Sequence, residues 1–220
     1  MSNSKTSKDG CVVFYEDTHT YYLNDKKKLT SITKYVSKFK QPFDSDLIAG
    51  KYAKKHGLVK GDVLKDWAKK GKESCDSGTF VHSVFEDYIN EKPLITKEEY
   101  PKSKVALLVI EELFKSKRLI PIETEMIVYN DKYAGQIDCI AKNKKGEHFI
   151  LDWKTNKSIE RENRWQRMTG KYDHLDDCNY NHYSIQLDCY KNMCTEYDIK
   201  GCYIVHLDND SYEIIETIIP

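Results

Sequence analysis

The sequence predicts an α/β sandwich: a mixed central sheet with helices on both faces and a helical elaboration on the amino-terminal side. Two observations carry this. From residue 97 onward the pattern runs helix, three strands, helix, two strands, an order that leaves a sheet needing cover on both faces. Upstream, residues 11–96 are mainly helical in periodicity, with lysine-rich faces. There is no internal repeat and no low-complexity linker, so 11–220 reads as one domain, with 1–10 as a disordered tail.

The elements follow in order. Val12-Val13-Phe14-Tyr15 and Tyr21-Tyr22-Leu23 read as a short strand pair around the Glu16-Asp17-Thr18 turn. Ser31 or Thr33 can cap a helix running to about Phe39, which the Gln41-Pro42 step ends. Helical stretches follow at Asp44 to about His56 and Gly61 to about Lys70, and another begins near Ser77. Val105 to Phe114 anchors an amphipathic helix over Lys97 to Lys117. Strands are expected near Ile122–Tyr129, Tyr133–Ala141 and His148–Thr155. After a polar stretch, a helix from about Tyr180 to Tyr197 precedes two closing strands near Cys202–His206 and Tyr212–Ile218.

Composition narrows the class. The chain has 35 basic and 35 acidic residues, which argues against a protein that coats polyanions indiscriminately. The charge is uneven, however: residues 1–70 hold 15 lysines against 8 acids, leaving an acidic remainder. The seven scattered cysteines suit reduced thiols in an intracellular compartment, not a secreted disulfide scaffold. No apolar run approaches a membrane span, so no membrane partner is expected.

The most informative stretch is Gly135 to Lys154. In Gln136-Ile137-Asp138-Cys139 the alternation sets Asp138 opposite Ile137 and Cys139. In Leu151-Asp152-Trp153-Lys154 the same period puts Asp152 and Lys154 on one side and turns Trp153 away. The short connection, Lys142 to Glu147, makes the two strands a hairpin that gathers Asp138, Asp152 and Lys154 at one edge. Two carboxylates a few ångströms apart repel by about 1–4 kcal/mol at surface-like dielectric. A divalent cation turns that repulsion into ligation, and the lysine can then orient water or stabilise developing charge. A D/E-x-K triplet arises by chance several times in a chain this charged; its placement at the end of an apolar strand is what gives it meaning.

Flanking signals point the same way. Glu123 and Glu125 share a face of the preceding strand; Glu125 is the favoured partner, with Glu123 left open. His82 and Glu86 fall one helical turn apart, as do Gln186 and Tyr190. Arg161, Arg164, Trp165 and Arg167 lie in a basic, aromatic stretch that holds all but one of the arginines, a composition suited to phosphate pairing and base stacking. His174, Cys178 and His182 recur at four-residue spacing without a C-x2-C pair, which is weak for zinc or an iron–sulfur cluster.

Taken together, Gly135-x-x-Asp138, Asp152-Trp153-Lys154 and Gln186-x-x-x-Tyr190, preceded by Gly78-Thr79-x-x-His82-x-x-x-Glu86, resemble the PD-(D/E)XK nuclease superfamily. The closest branch is the RecB-like exonucleases, which include the mitochondrial genome maintenance exonuclease and phage or large-virus relatives; the likeness covers residues 30–208. It implies a restriction-endonuclease-like core and Mg2+- or Mn2+-dependent hydrolysis of DNA, at single-stranded DNA or single-stranded ends. It also implies that Asp138, Asp152, His82 and the Trp153 carbonyl ligate metal, that Lys154 positions water, and that Gln186, Tyr190 and Glu125 support the site. The closing cysteine spacing of cluster-bearing members is missing, so no iron–sulfur cluster is expected. No Walker A loop is present, so an unwinding or recombination partner is a separate chain.

Overall fold

The computed structural model describes residues 4–218. A single nine-stranded mixed sheet runs through it, in the order β1-β2-β3-β4-β6-β7-β8-β9, with β5 pairing separately with β6. Strands β1 (Ser4–Thr6), β2 (Val12–Tyr15), β3 (Thr20–Leu23) and β4 (Lys27–Ser31) form an antiparallel meander. β5 (Ile120–Tyr129), β6 (Tyr133–Lys142) and β7 (His148–Lys154) are antiparallel neighbours, β8 (Ile199–Leu207) runs parallel to β7, and β9 (Tyr212–Glu216) closes the edge.

Helices cover both faces, as the element order predicted. On one face, Ile185 and Leu187 of α5 (Asn179–Met193) and Ile32 and Val36 of α1 (Ile32–Ser37) pack on Ile137, Ile140, Ile150 and Ile204. On the other, Val81, Val84 and Phe85 of α3 (Lys60–Ile89) join Val105 and Val109 of α4 (Lys102–Val109) over Cys139, Leu151, Trp153 and Val205. Trp153 is fully buried there, its ring stacked on Phe85 at 3.9 Å. Emptying such a site costs about 3–5 kcal/mol. α2 (Ser45–His56) is capped by Asp44 and packs Ala49 and Ala53 against Val63 of α3, giving a lysine-rich helical hairpin.

Several expectations are corrected. The two helices expected at 61–70 and from Ser77 are one 30-residue helix, α3. Gly71 and Gly78 do not break it, because a helical glycine costs only about 1 kcal/mol and the Asp66–Lys70 and Lys69–Glu73 pairs bridge successive turns. The helix expected over 97–117 is shorter: α4 starts after Pro101 and passes into a π-helical turn at Ile110–Lys115. α5 stops at Met193, where Cys194 turns extended. Residues 4–10 of the expected tail are ordered instead, because β1 adds to β2; residues 1–3 lie outside the described residues. The amino-terminal part is also less purely helical than predicted, since β4 carries its chain into the central sheet.

β6 is the strand that positions everything else. It pairs with β5 along its length on one edge. On the other edge β4 takes only Tyr133 and Ala134, and β7 begins at Cys139, so residues 135–138 face a fork between two strands. Within the fork Gly135 lies under the Tyr190 ring: a Cβ there would sit 2.2 Å from Tyr190 Cε1. Gly135→Ala is therefore expected to cost about 1–3 kcal/mol by overpacking. Urea unfolding checks this, and a midpoint equal to that of the wild type contradicts it.

Candidate metal centre

At the fork, Asp138 replaces the missing strand partner. Its Oδ2 accepts the Trp153 N–H at 2.9 Å, a bond that backbone pairing would otherwise make. The Trp153 carbonyl is engaged by His82 Nε2 at 3.0 Å. A carbonyl can only accept, so Nε2 carries the proton and Nδ1 is left as a lone pair. That nitrogen lies 3.6 Å from Asp138 Oδ2. The desolvating surroundings first, and Lys154 second, pull the His82 pKa down, which favours the neutral ring that ligation requires.

Glu125, not Glu123, completes this group. Glu125 occupies the left-handed region (φ 55°), a conformation that costs a non-glycine residue about 1–2 kcal/mol. Alternation slips where it faces β6: Ile137 joins the α5 side of the core and Cys139 the α3 side. The expectation that Ile137 and Cys139 share a face is thus corrected: the alternation of β6 slips at Asp138, opposite the left-handed Glu125. The Glu125 side chain is largely buried there. One ligand atom each from His82, Glu125 and Asp138 lie within 4.8 Å of one another. Glu123 is taken up elsewhere, by Tyr197 at 2.9 Å and by Lys8.

Asp152 and Lys154 share a side of β7 and are in direct ion-pair contact, as their spacing predicts. Asp152 is 1% exposed, and its Oδ2, held by the Lys154 ammonium, has no other polar partner. Burial raises the pKa of all three acids: Glu125 to about 7, where Asp138 adds its charge, Asp152 to about 6, and Asp138 also upward. Burial alone would discharge Lys154, but Asp152 and Asp138 outweigh it and hold the ammonium charged. Its charge also faces the Tyr183 ring, 4.9 Å away.

α5 lies over the same spot. Gln186 Nε2 donates to the Tyr190 hydroxyl at 3.1 Å, and the buried Tyr190 ring rests on Gly135. Tyr183, one turn earlier, donates to Asn156 Oδ1 at 2.7 Å and so fixes the chain just after Lys154. The arginine segment is not part of the cluster. Arg161 pairs with Glu213, Arg167 with Asp176 and the His174 carbonyl, and Arg164 only loosely with Glu162. Trp165 is 93% exposed.

The residues fit a hard divalent cation. The carboxyls of Glu125 and Asp138, pushed upward by burial, and one imidazole lone pair form a donor set suited to Mg2+ or Mn2+, with the nitrogen better tolerated by Mn2+; Asp152, expected as a ligand from the resemblance, is paired with Lys154 and is not one of the three. The Trp153 carbonyl, named from the resemblance as a ligand, is already approached by His82 and by Lys154 at 3.4 Å. Sequence reasoning missed Tyr183, whose only signal was its position one turn before Gln186, and Lys5, which bonds Glu125 at 3.3 Å. No protein-family model matches the chain, and no curated protein matches it.

Asp138→Asn and His82→Ala are each expected to weaken Mn2+ binding on the order of tenfold or more, read by calorimetry on the folded protein. Isotherms superimposable on that of the wild type in both variants contradict the assignment of the centre.

Proposed function

We propose that this protein is a metal-dependent DNA nuclease that hydrolyses phosphodiester bonds, acting as an exonuclease on single-stranded ends. The observation that carries the reading is the cluster of His82, Glu125 and Asp138 at the fork, with the Asp152–Lys154 ion pair at the end of the adjoining strand. The exonuclease and single-strand parts rest on the PD-(D/E)XK resemblance.

When bound, a divalent cation supplies Lewis acidity toward a phosphate oxygen and toward water. The chain's own groups do the rest. Asp138, Glu125 and His82 Nδ1 would hold the cation, and the strain at Glu125 would be part of that preorganisation. Lys154, kept charged by its acids, donates to the attacking water or to the phosphate as negative charge builds. In hydrolysis the water oxygen joins phosphorus, the bridging P–O bond breaks, and a proton passes to the leaving oxygen. Gln186 and Tyr190 brace the helix face above Gly135 and offer hydrogen bonds to the backbone of the strand.

Surface chemistry supports a nucleic-acid substrate. The loop after β7 leaves from Lys154 and returns to α5, whose Tyr183 bonds back to Asn156 at the loop's start, and it presents the exposed Trp165 beside Arg164. An exposed indole next to a guanidinium is a stacking platform for an unpaired base, worth about 1–3 kcal/mol. The lysines of α2 and of the amino-terminal half of α3 lie on a helical hairpin whose second helix, α3, also carries His82.

Asp152→Asn and Lys154→Ala are expected to keep the fold and lose cleavage by roughly 10²-fold or more. Linear and covalently closed single-stranded DNA, with Mn2+ and with EDTA, check the rest. Cleavage of linear DNA alone supports an exonuclease, and cutting of the circle makes the protein an endonuclease on the same fold. Binding with no cleavage of either, in Mn2+, leaves a non-catalytic nucleic-acid-binding protein.

A further inference from the structure

The centre has a neighbour that its own chemistry does not use. The alternation of β1 leaves Ser4 and Thr6 exposed and turns Lys5 inward. The Lys5 ammonium sits among three acids from distant parts of the chain. Glu125 Oε2 is 3.3 Å away, Glu16 Oε1 3.4 Å and Glu86 Oε2 3.8 Å. Glu16 comes from the turn after β2, and Glu86 from α3 one turn beyond His82. Among the described residues, the ion pairs of these acids all run to Lys5.

We propose that Lys5 permanently occupies a second cation position beside the metal centre, and so limits the cluster to one exchangeable divalent ion. The inference rests on reading His82, Glu125 and Asp138 as a metal centre. Glu125 is the shared member. It belongs to the inner group with His82 and Asp138, and it also bonds the Lys5 ammonium. A carboxylate with two oxygens can serve two cations at once. The outer position therefore has the oxygen donors of a second divalent site, already filled by a charge tethered to the chain. An ordinary surface ion pair joins one acid to one base and contributes little. Here one ammonium serves three carboxylates, one of them a ligand of the neighbouring centre. The compact ammonium suits this role better than a guanidinium, whose planar fork spreads its charge.

Mn2+ calorimetry with Lys5→Met tests this, since methionine keeps an unbranched apolar stem and removes the charge. The wild type is expected to bind one Mn2+ per chain and Lys5→Met two. Adding Glu16→Gln to Lys5→Met should return the count to one. Lys5→Arg, which keeps the charge, should stay at one. Circular dichroism confirms that each variant is folded. A Lys5→Met chain that still binds a single ion with wild-type affinity overturns the proposal while leaving the centre standing, and two ions in the wild type also overturn it. A wild type that takes up no Mn2+ removes the centre itself and this inference with it.

Discussion

The structure depends on the hydrogen bond from the Trp153 N–H to the Asp138 carboxylate. A backbone donor at the end of a central strand needs a partner, and at the fork no strand supplies one. Asp138 supplies it with a side chain. The carboxylate is then committed to a buried position where burial raises its pKa, and Lys154 and the Trp153 N–H pull it back only in part. One side-chain bond thus joins the end of a sheet ladder to the origin of an electrostatic need.

The surrounding elements answer that need. The Trp153 indole, stacked on Phe85, anchors the end of β7 against α3, and His82 on that helix takes the carbonyl of the same residue. α3 is a continuous beam, so the positions of His82 and Glu86 are tied to the sheet and to the lysine-rich hairpin at its other end. The strain at Glu125 is held by β5 pairing on either side of it, through Thr124↔Cys139 and Met126↔Ile137. The Glu125 backbone is fixed further by Gln136 of β6, whose Nε2 donates to the Glu125 carbonyl at 3.1 Å.

Much of this could be read in the sequence, for identifiable reasons. The period of two in Leu151-Asp152-Trp153-Lys154 survives folding because Trp153 has a core to enter and Asp152 cannot follow it. The Ser31 cap acts locally, so its signal needed no tertiary context. What could not be read depends on contacts distant in sequence. Gly135 matters because Tyr190 lies on it, 55 positions later. Lys5 matters because three acids converge on it, and in isolation its segment looks like a polar tail. The choice between Glu125 and Glu123 turns on a single left-handed residue, which no alternation pattern announces. The continuity of α3 was hidden by two glycines whose cost is small beside the packing of its carboxyl-terminal half.

The central claim is that the carboxylates at the fork, with the His82 imidazole, share one divalent ion. Anomalous diffraction from crystals soaked in Mn2+ tests it most directly. The account predicts one strong anomalous peak within coordination distance of His82 Nδ1 and the Glu125 and Asp138 carboxylates, beside Asp152. A fully soaked crystal with no peak there, or with its strongest peak outside the fork, would contradict it.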